Sequence, residues 1–532
     1  MDRHRLATRT SADNDWSERS VWLITYADQF PNDGQTPLSA LDRFIDDRLT
    51  GLIDGVHILP FAPWSSDGGF SVIDYEAVDP RYGSWADIEA ITSSRTVMFD
   101  AVINHMSAKS QWFQRFLADD PDHRGFFRTS DPTLDTSSVV RPRTHPLLTP
   151  FTTSSGDVVH VWTTFSADQV DLDYGNPEVL LRMLAVLIDY CERGAGAIRL
   201  DAVGFLWKDE ATPSIHLPQT HQIIQLIRSC LDDLGFGALL ISETNVPHEE
   251  NVSYLGSDIP EVHAVYQFPL APLTAHAVLS GDTSVLERWA AGIDEIVGEQ
   301  RSFLNFLACH DGIGVRPAEG LLDDDQLGLL IDACHRSGGR VGQRVSSDGS
   351  MVPYELNTTW FDLMAADVDE ETAIRRHLAT HAVMLCLPGV AALYAHSLFG
   401  TGNDHAAVDR TGHARDINRS HYDDRAALEA SVETPGTRAN QIFDGLAALV
   451  ADRRRCAAFH PEAELSVLVS PPGVFAVDRT YNRARARVIV NLGAIATDVG
   501  SLTENWVEIG GTRVPAPDLG PGASLWLEPT DP

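Results

Sequence analysis

The stretch GAIRLDAVG, residues 196–204, sets Arg199 and Asp201 one residue apart inside an apolar run. In an extended strand alternate side chains share a face, so the two opposite charges lie on the same side. A buried structural ion pair is the plain alternative, but desolvation makes such a pair a poor source of stability. Three further segments end apolar runs on polar groups: DAVINH with Asp100, Asn104 and His105, ISETN with Glu243, and ACHDGIG with His310 and Asp311. A helix cap or loop salt bridge would account for any one of them. Taken together they predict several carboxylates meeting in one mouth. Glycoside cleavage needs such a set, because its transition state is cationic at the anomeric carbon. One carboxylate attacks, one carboxylic acid protonates the leaving oxygen, and a further anion holds the sugar. Divalent-metal hydrolysis also uses clustered carboxylates, but partner histidines at ligand spacing are too few to favour it.

The elements that must position these groups are short apolar runs alternating with helical patterns. Eight runs read as strands: VWLITYA, DGVHILPF, TVMFDAVI, GAIRLDAV, ALLISE, VHAVYQF, SFLNFLA and GVAALYA. Between them lie segments such as PEVLLRMLAVLIDYCERG and ETAIRRHLATHAVML, whose apolar residues recur at three and four. The alternation predicts an α/β protein, a closed (β/α)8 TIM barrel spanning 19–105 and 179–454, whose strand ends carry the site. The long gap after the third strand predicts an inserted domain over 106–178, and polar, Gly-rich sequence after the seventh predicts a second insertion over 313–360. Short runs punctuated by Pro and Gly predict an all-β domain over 455–532, and residues 1–18 read as a loose tail.

Composition bounds the partners. The chain has 532 residues, 43% of them hydrophobic, and a net charge of −35, which opposes binding to nucleic acid or an anionic membrane. Lys109 and Lys208 are its lysines, every other cation being Arg. Scattered cysteines without a CxxC pair, no apolar stretch long enough to span a bilayer, and an N-terminus lacking a signal-peptide core fit a cytoplasmic enzyme. No Gly fingerprint of a dinucleotide site is present, and we expect neither organic cofactor nor metal.

The segments DAVINH, GAIRLDAVG, ISETN and ACHDGIG resemble the four signature segments of the α-amylase family of glycoside hydrolases, over nearly the whole chain. Within it ITYADQF, DGVHILPF, SSDGGFSVIDY, VRPRTHP, PYELN and ARDINR look like the sucrose-phosphorylase subgroup. The resemblance implies Asp201 as nucleophile, Glu243 as general acid/base and Asp311 as transition-state stabiliser. It implies a glucose subsite of Asp67, Phe70, His105, Phe165, Arg199, His310 and Arg415, with Gln169 close by. The residue types fit, since phenylalanines offer apolar platforms for a pyranose while Asp67 and Arg415 offer charged hydrogen bonds. Arg199 is expected to lower the pKa of Asp201. Arg143 and Tyr354 match phosphate-handling positions, although RPR read alone is a proline-stiffened surface loop. The resemblance generally goes with no calcium, even though Asn104 lies where many amylases bind that ion.

The implied reaction is retaining phosphorolysis of an α-glucoside to α-glucose 1-phosphate, with sugar and inorganic phosphate as partners and a monomer or homodimer as the assembly. The alternative class is an α-glucoside hydrolase or transglucosidase, which would have no use for Arg143 and Tyr354. The run HRSGGRVGQR, 335–344, departs from the subgroup. Its Arg340 and Arg344 read either as a solvated face or as a site for an anionic acceptor. The second reading makes sucrose 6′-phosphate the first expectation for the donor and glucosylglycerate the second, ahead of sucrose and glucosylglycerol.

Overall fold

The computed structural model describes residues 16–32, 34–346, 349–511 and 516–530. Eight parallel strands close a barrel: β1 (Val21–Thr25), β2 (Gly55–Ile58), β3 (Thr96–Ala101), β4 (Ala197–Leu200), β5 (Leu239–Ser242), β6 (Ala264–Tyr266), β7 (Ser302–Asn305) and β8 (Val390–Tyr394). Each lies within one of the eight predicted runs. The runs are apolar throughout because helices cover the outside while side chains fill the inside, so neither face of a strand sees water. Register is continuous around the ring, with Trp22 beside Gly55, Met98 beside Ala197 and Leu304 beside Val390. Gly55 has to be glycine, since a Cβ there would come within 2.5 Å of the Trp22 indole.

The helices pack their apolar stripes on this cylinder. Pro177–Glu192 is one of them, started by Asn176, whose side chain accepts the Glu178 N–H, and by Pro177 at the first turn. It buries Val179, Met183, Leu187 and Tyr190.

Between β3 and β4 the chain builds two small antiparallel pairs, His105–Ser107 with Gln169–Asp171 and Leu148–Thr152 with Val158–Trp162. After β7 it forms a helix, Asp324–Arg336, and a hairpin of Arg340–Val345 with Met351–Asn357. A five-stranded antiparallel sheet runs from Glu464–Val467 to Ser524–Pro529. Arg479, fully buried, ties the C-terminal sheet to the barrel by donating to the Cys386 carbonyl at 2.5 Å. Of the expected loose tail, residues 1–15 lie outside the described residues. Trp16 is not loose, because it is buried and its indole N–H donates to Glu462 at 3.0 Å. All six cysteines are free. No helix among the described residues is long and apolar enough to cross a membrane.

Candidate active site

The C-terminal ends of β3, β4, β5 and β7 deliver the acidic groups to one mouth. Asp201 follows β4 directly and accepts a hydrogen bond from Arg199 Nη1 at 2.8 Å, while Arg199 Nη2 stands 3.8 Å from Glu243. The same guanidinium pairs with Asp100 at the end of β3, which in turn takes the His57 ring at 2.6 Å. Ala202 adopts φ of 50°, a left-handed conformation rare for a residue with a Cβ. That turn aims its N–H at Glu243, 3.0 Å away, so the backbone after one carboxylate holds the other.

Burial pushes the Asp201 carboxyl well above the usual range, outweighing the pull of Arg199; this corrects the expectation of a lowered pKa. Burial raises Glu243 as well. Two buried acids sharing one guanidinium titrate as a pair with one proton between them. The shorter contact of Arg199 favours the anion on Asp201 and the proton on Glu243. Asp311 goes the other way, because Arg415, His310 and Arg419 overcome its burial and hold it far below the usual carboxylate range.

The glucose-subsite residues of the sequence reading gather around this core. Phe70 stacks on His310 with ring centres 4.6 Å apart, and the Arg199 guanidinium lies 5.3 Å from the Phe70 ring. His105 bonds the Phe70 carbonyl at 2.9 Å and faces Phe165 at 5.1 Å. Gln169 donates to the Phe70 carbonyl at 3.1 Å and to Asp67 at 3.4 Å. Asp67 sits at φ of 54° ahead of Gly68 and Gly69, where a Cβ on Gly68 would meet Arg419 at 2.7 Å and one on Gly69 would meet Pro60 at 2.8 Å. The glycines therefore let this loop pass beneath Arg419. Burial pushes His310 down to about 3, so it is a neutral hydrogen-bonding ring.

Arg415 pairs with Asp311 and grips Glu355 with two bonds of 3.1 and 2.8 Å. Arg419, not singled out in the sequence, spans Asp67 at 3.6 Å and Asp311 at 3.8 Å and donates to the His310 carbonyl at 2.9 Å. Its signal was the second arginine of ARDINR. Glu355, also not singled out in the sequence, follows Tyr354 in PYELN. Cys309, His310 and Asp311 are close enough to suggest a metal cluster, but stacking on Phe70 and pairing with Arg415 already engage two of them. The side-chain oxygen of Asn104 accepts from the Lys208 ammonium at 2.8 Å, which also bonds the Phe205 carbonyl and lies 3.7 Å from Asp171.

Two recesses share Phe165, and one of them reaches a catalytic carboxylate. A small cleft beside Glu243 is walled by Phe165, Phe205, Ile215 and Val246 and carries Asn245, Arg316 and Tyr354. An outer recess is lined by Arg143, His145, Phe165 and Gln343. The Arg143 guanidinium lies 5.4 Å from the Tyr354 ring, joining the two. Arg340 and Arg344 line neither. Arg344 pairs with Glu319 at 2.6 Å, and Arg340, about half exposed, reaches Asp409 at 3.6 Å. Acidic groups distant in sequence thus absorb the charges read as an acceptor site.

Comparison with known proteins agrees with this geometry. Residues 49–311 match the Alpha-amylase family, described as Alpha amylase, catalytic domain. The chain is 48% identical to the Glucosylglycerate phosphorylase of Allomeiothermus silvanus over 86% of this chain and 82% of that protein. It is 42% identical to the Glucosylglycerate phosphorylase of Escherichia coli over 87% and 83%. The crystal structure of sucrose 6F-phosphate phosphorylase from Thermoanaerobacter thermosaccharolyticum superposes with a TM-score of 0.77 at 24% identity, covering 89% of this chain and 94% of that one. This chain belongs to the alpha-amylase family and is one of its glycoside phosphorylases, an enzyme of the glycosyltransferase type.

Proposed function

We propose that the enzyme phosphorolyses glucosylglycerate, yielding α-glucose 1-phosphate and glycerate. The observation that carries the acceptor is the identity of 48% to a glucosylglycerate phosphorylase, against 24% to the sucrose 6F-phosphate phosphorylase of known structure. The expectation of sucrose 6′-phosphate as donor is withdrawn, since relatives at 42–48% identity are glucosylglycerate phosphorylases and its support, the Arg340 and Arg344 pair, lines neither recess.

In this reading Asp201 attacks the anomeric carbon while Glu243 gives its proton to the departing glycerate oxygen. Phosphate then enters on the vacated side, Glu243 takes back a proton from it, and the second displacement restores the α configuration. Asp311 faces the developing positive charge as a permanent anion. Arg143 serves phosphate, because among the described residues no carboxylate lies within ion-pair distance of it and a guanidinium binds phosphate oxygens through two parallel bonds. Asp67 and Arg419 hold glucose hydroxyls, with Phe70 and Phe165 as the apolar faces. An intracellular setting suits an enzyme that conserves glycosidic energy as a sugar phosphate.

The test is formation of glucose 1-phosphate from a donor panel in phosphate: glucosylglycerate, sucrose 6′-phosphate, sucrose and glucosylglycerol. Glucosylglycerate should give the highest kcat/KM. Preference for sucrose 6′-phosphate, or release of free glucose regardless of phosphate, would overturn the reading.

A further inference from the structure

The cleft beside Glu243 contains a guanidinium that the catalytic steps above do not use. Arg316 lies five residues beyond Asp311, in the connection after β7, and its side chain is only 10% exposed. The carboxylate nearest to it is Glu250, 3.8 Å away and 44% exposed. Its Nε is buried without a hydrogen-bond partner among the described residues. Asn245, two residues beyond Glu243 and lining the same cleft, likewise has its buried Oδ1 unpartnered. Apart from Arg143, the other arginines of the mouth are paired with carboxylates: Arg199 with Asp100 and Asp201, Arg415 with Asp311 and Glu355, and Arg419 with Asp67.

A buried cation held against an anion at bonding distance is tolerable, whereas one held with its donors open is costly. Arg316 is of the second kind. Burial lowers its pKa and the nearby Arg344 lowers it further, so the surroundings under-compensate its charge. The cleft lining also includes the apolar Phe165, Phe205, Ile215 and Val246. Such a pocket takes a small molecule with an anionic end and a hydrocarbon flank. Its place is also fixed, because a group that protonates the leaving oxygen must touch the leaving molecule, and Glu243 lines this cleft.

We infer that Arg316 binds the carboxylate of the departing acid, while the open Asn245 Oδ1 accepts from a hydroxyl of the same molecule, and that Arg316 so selects a small hydroxy acid over a neutral polyol. This rests on the glucosylglycerate reading and assigns a specificity residue to it. A planar guanidinium with open donors matches the two oxygens of a carboxylate. Arg143, which lines the outer recess instead, remains for phosphate, so the two anions that pass through the mouth meet different arginines. A neutral acceptor such as glycerol could still donate to Asn245 but would leave Arg316 unpaired, which is how a polar site rejects an analogue lacking the matching group.

The experiment measures synthesis from glucose 1-phosphate with glycerate or glycerol as acceptor, for the wild type, Arg316→Gln and Arg316→Lys. Loss of one charged hydrogen-bonding partner corresponds to a fall of about 10- to 100-fold in kcat/KM for glycerate relative to that for glycerol in Arg316→Gln. Arg316→Lys, which keeps the charge without the fork, should fall between the two. The ratio is insensitive to the fraction of folded enzyme, and the lysine variant carries the test if the glutamine variant does not fold. A ratio within about threefold of wild type in both variants, with a wild type that uses glycerate well, would overturn the inference alone. A wild type that refuses glycerate would instead sink the acceptor assignment, and this inference with it.

Discussion

Arg199 Nη1 stands 2.8 Å from Asp201 Oδ1, inside a mouth where burial raises the pKa of that carboxyl and of Glu243 alike. One guanidinium therefore serves two acids, and its closer contact decides which of them stays ionised. In the proposed mechanism, the charge pair read in GAIRLDAVG is the device that lets a nucleophile and a proton donor coexist in one mouth.

A consequence concerns Glu243→Gln. A folded pKa above the unfolded value means that the native state binds the proton more tightly. Wild-type stability is then greatest below the ordinary carboxylate range and falls as pH rises through the raised pKa of the pair. Glutamine cannot ionise, so the thermal midpoint of Glu243→Gln should gain on wild type as pH rises, while kcat drops about 10²- to 10⁴-fold. Parallel pH curves for the two proteins would contradict the shared-proton arrangement.

Asp311→Asn should behave in the opposite sense. Its depressed pKa contributes stability that is present above the ordinary value of 3.8 and lost as pH falls towards the folded value. Removing the charge leaves Arg415 with Glu355 and Arg419 with Asp67 as acidic partners. The loss should therefore stay below about 3–5 kcal/mol, the value for a fully broken buried pair. Denaturant unfolding at neutral pH should report that loss, and the gap to wild type should narrow below about pH 4. Equal stability at neutral pH would mean that the two arginines do not depend on this carboxylate.

Arg143→Ala tests the phosphate assignment. A lost charged hydrogen bond is worth about 1.5–3 kcal/mol, or a rise of about 10- to 100-fold in KM for phosphate. Water should then capture more of the glucosyl enzyme, so the ratio of free glucose to glucose 1-phosphate should climb. An unchanged ratio would remove Arg143 from the phosphate site.

Arg344→Ala separates the cleft from the charged hairpin beside it. Glu319 already absorbs the Arg344 charge at the rim, where such a pair is worth about 0–1 kcal/mol. KM for glycerate should stay within about threefold of wild type. A tenfold rise would restore the hairpin as part of the acceptor site.

These contrasts mark what the chain reveals locally. The barrel strands are legible because parallel strands buried on both faces are unbroken apolar runs, and Asp201, Glu243 and Asp311 stand out because each ends such a run on a charge. Arg340 and Arg344 misled because neighbourhood along the chain implied a shared target, whereas their partners Asp409 and Glu319 are far away in sequence. Arg419 and Arg316 were passed over for the converse reason. Nothing near either one shows that a loop crossing the barrel mouth leaves Arg419 between Asp67 and Asp311, or Arg316 without an anion at bonding distance. Pairing across loops is a tertiary property, and hydrophobic periodicity carries no trace of it.

The most direct measurement of the central claim is capture of the glucosyl enzyme. Glu243→Gln treated with an α-glucosyl donor that has a good leaving group should accumulate a covalent glucosyl ester, and peptide mass spectrometry should place it on Asp201. An adduct on any other residue, or β-configured glucose 1-phosphate from the wild type, would contradict the account.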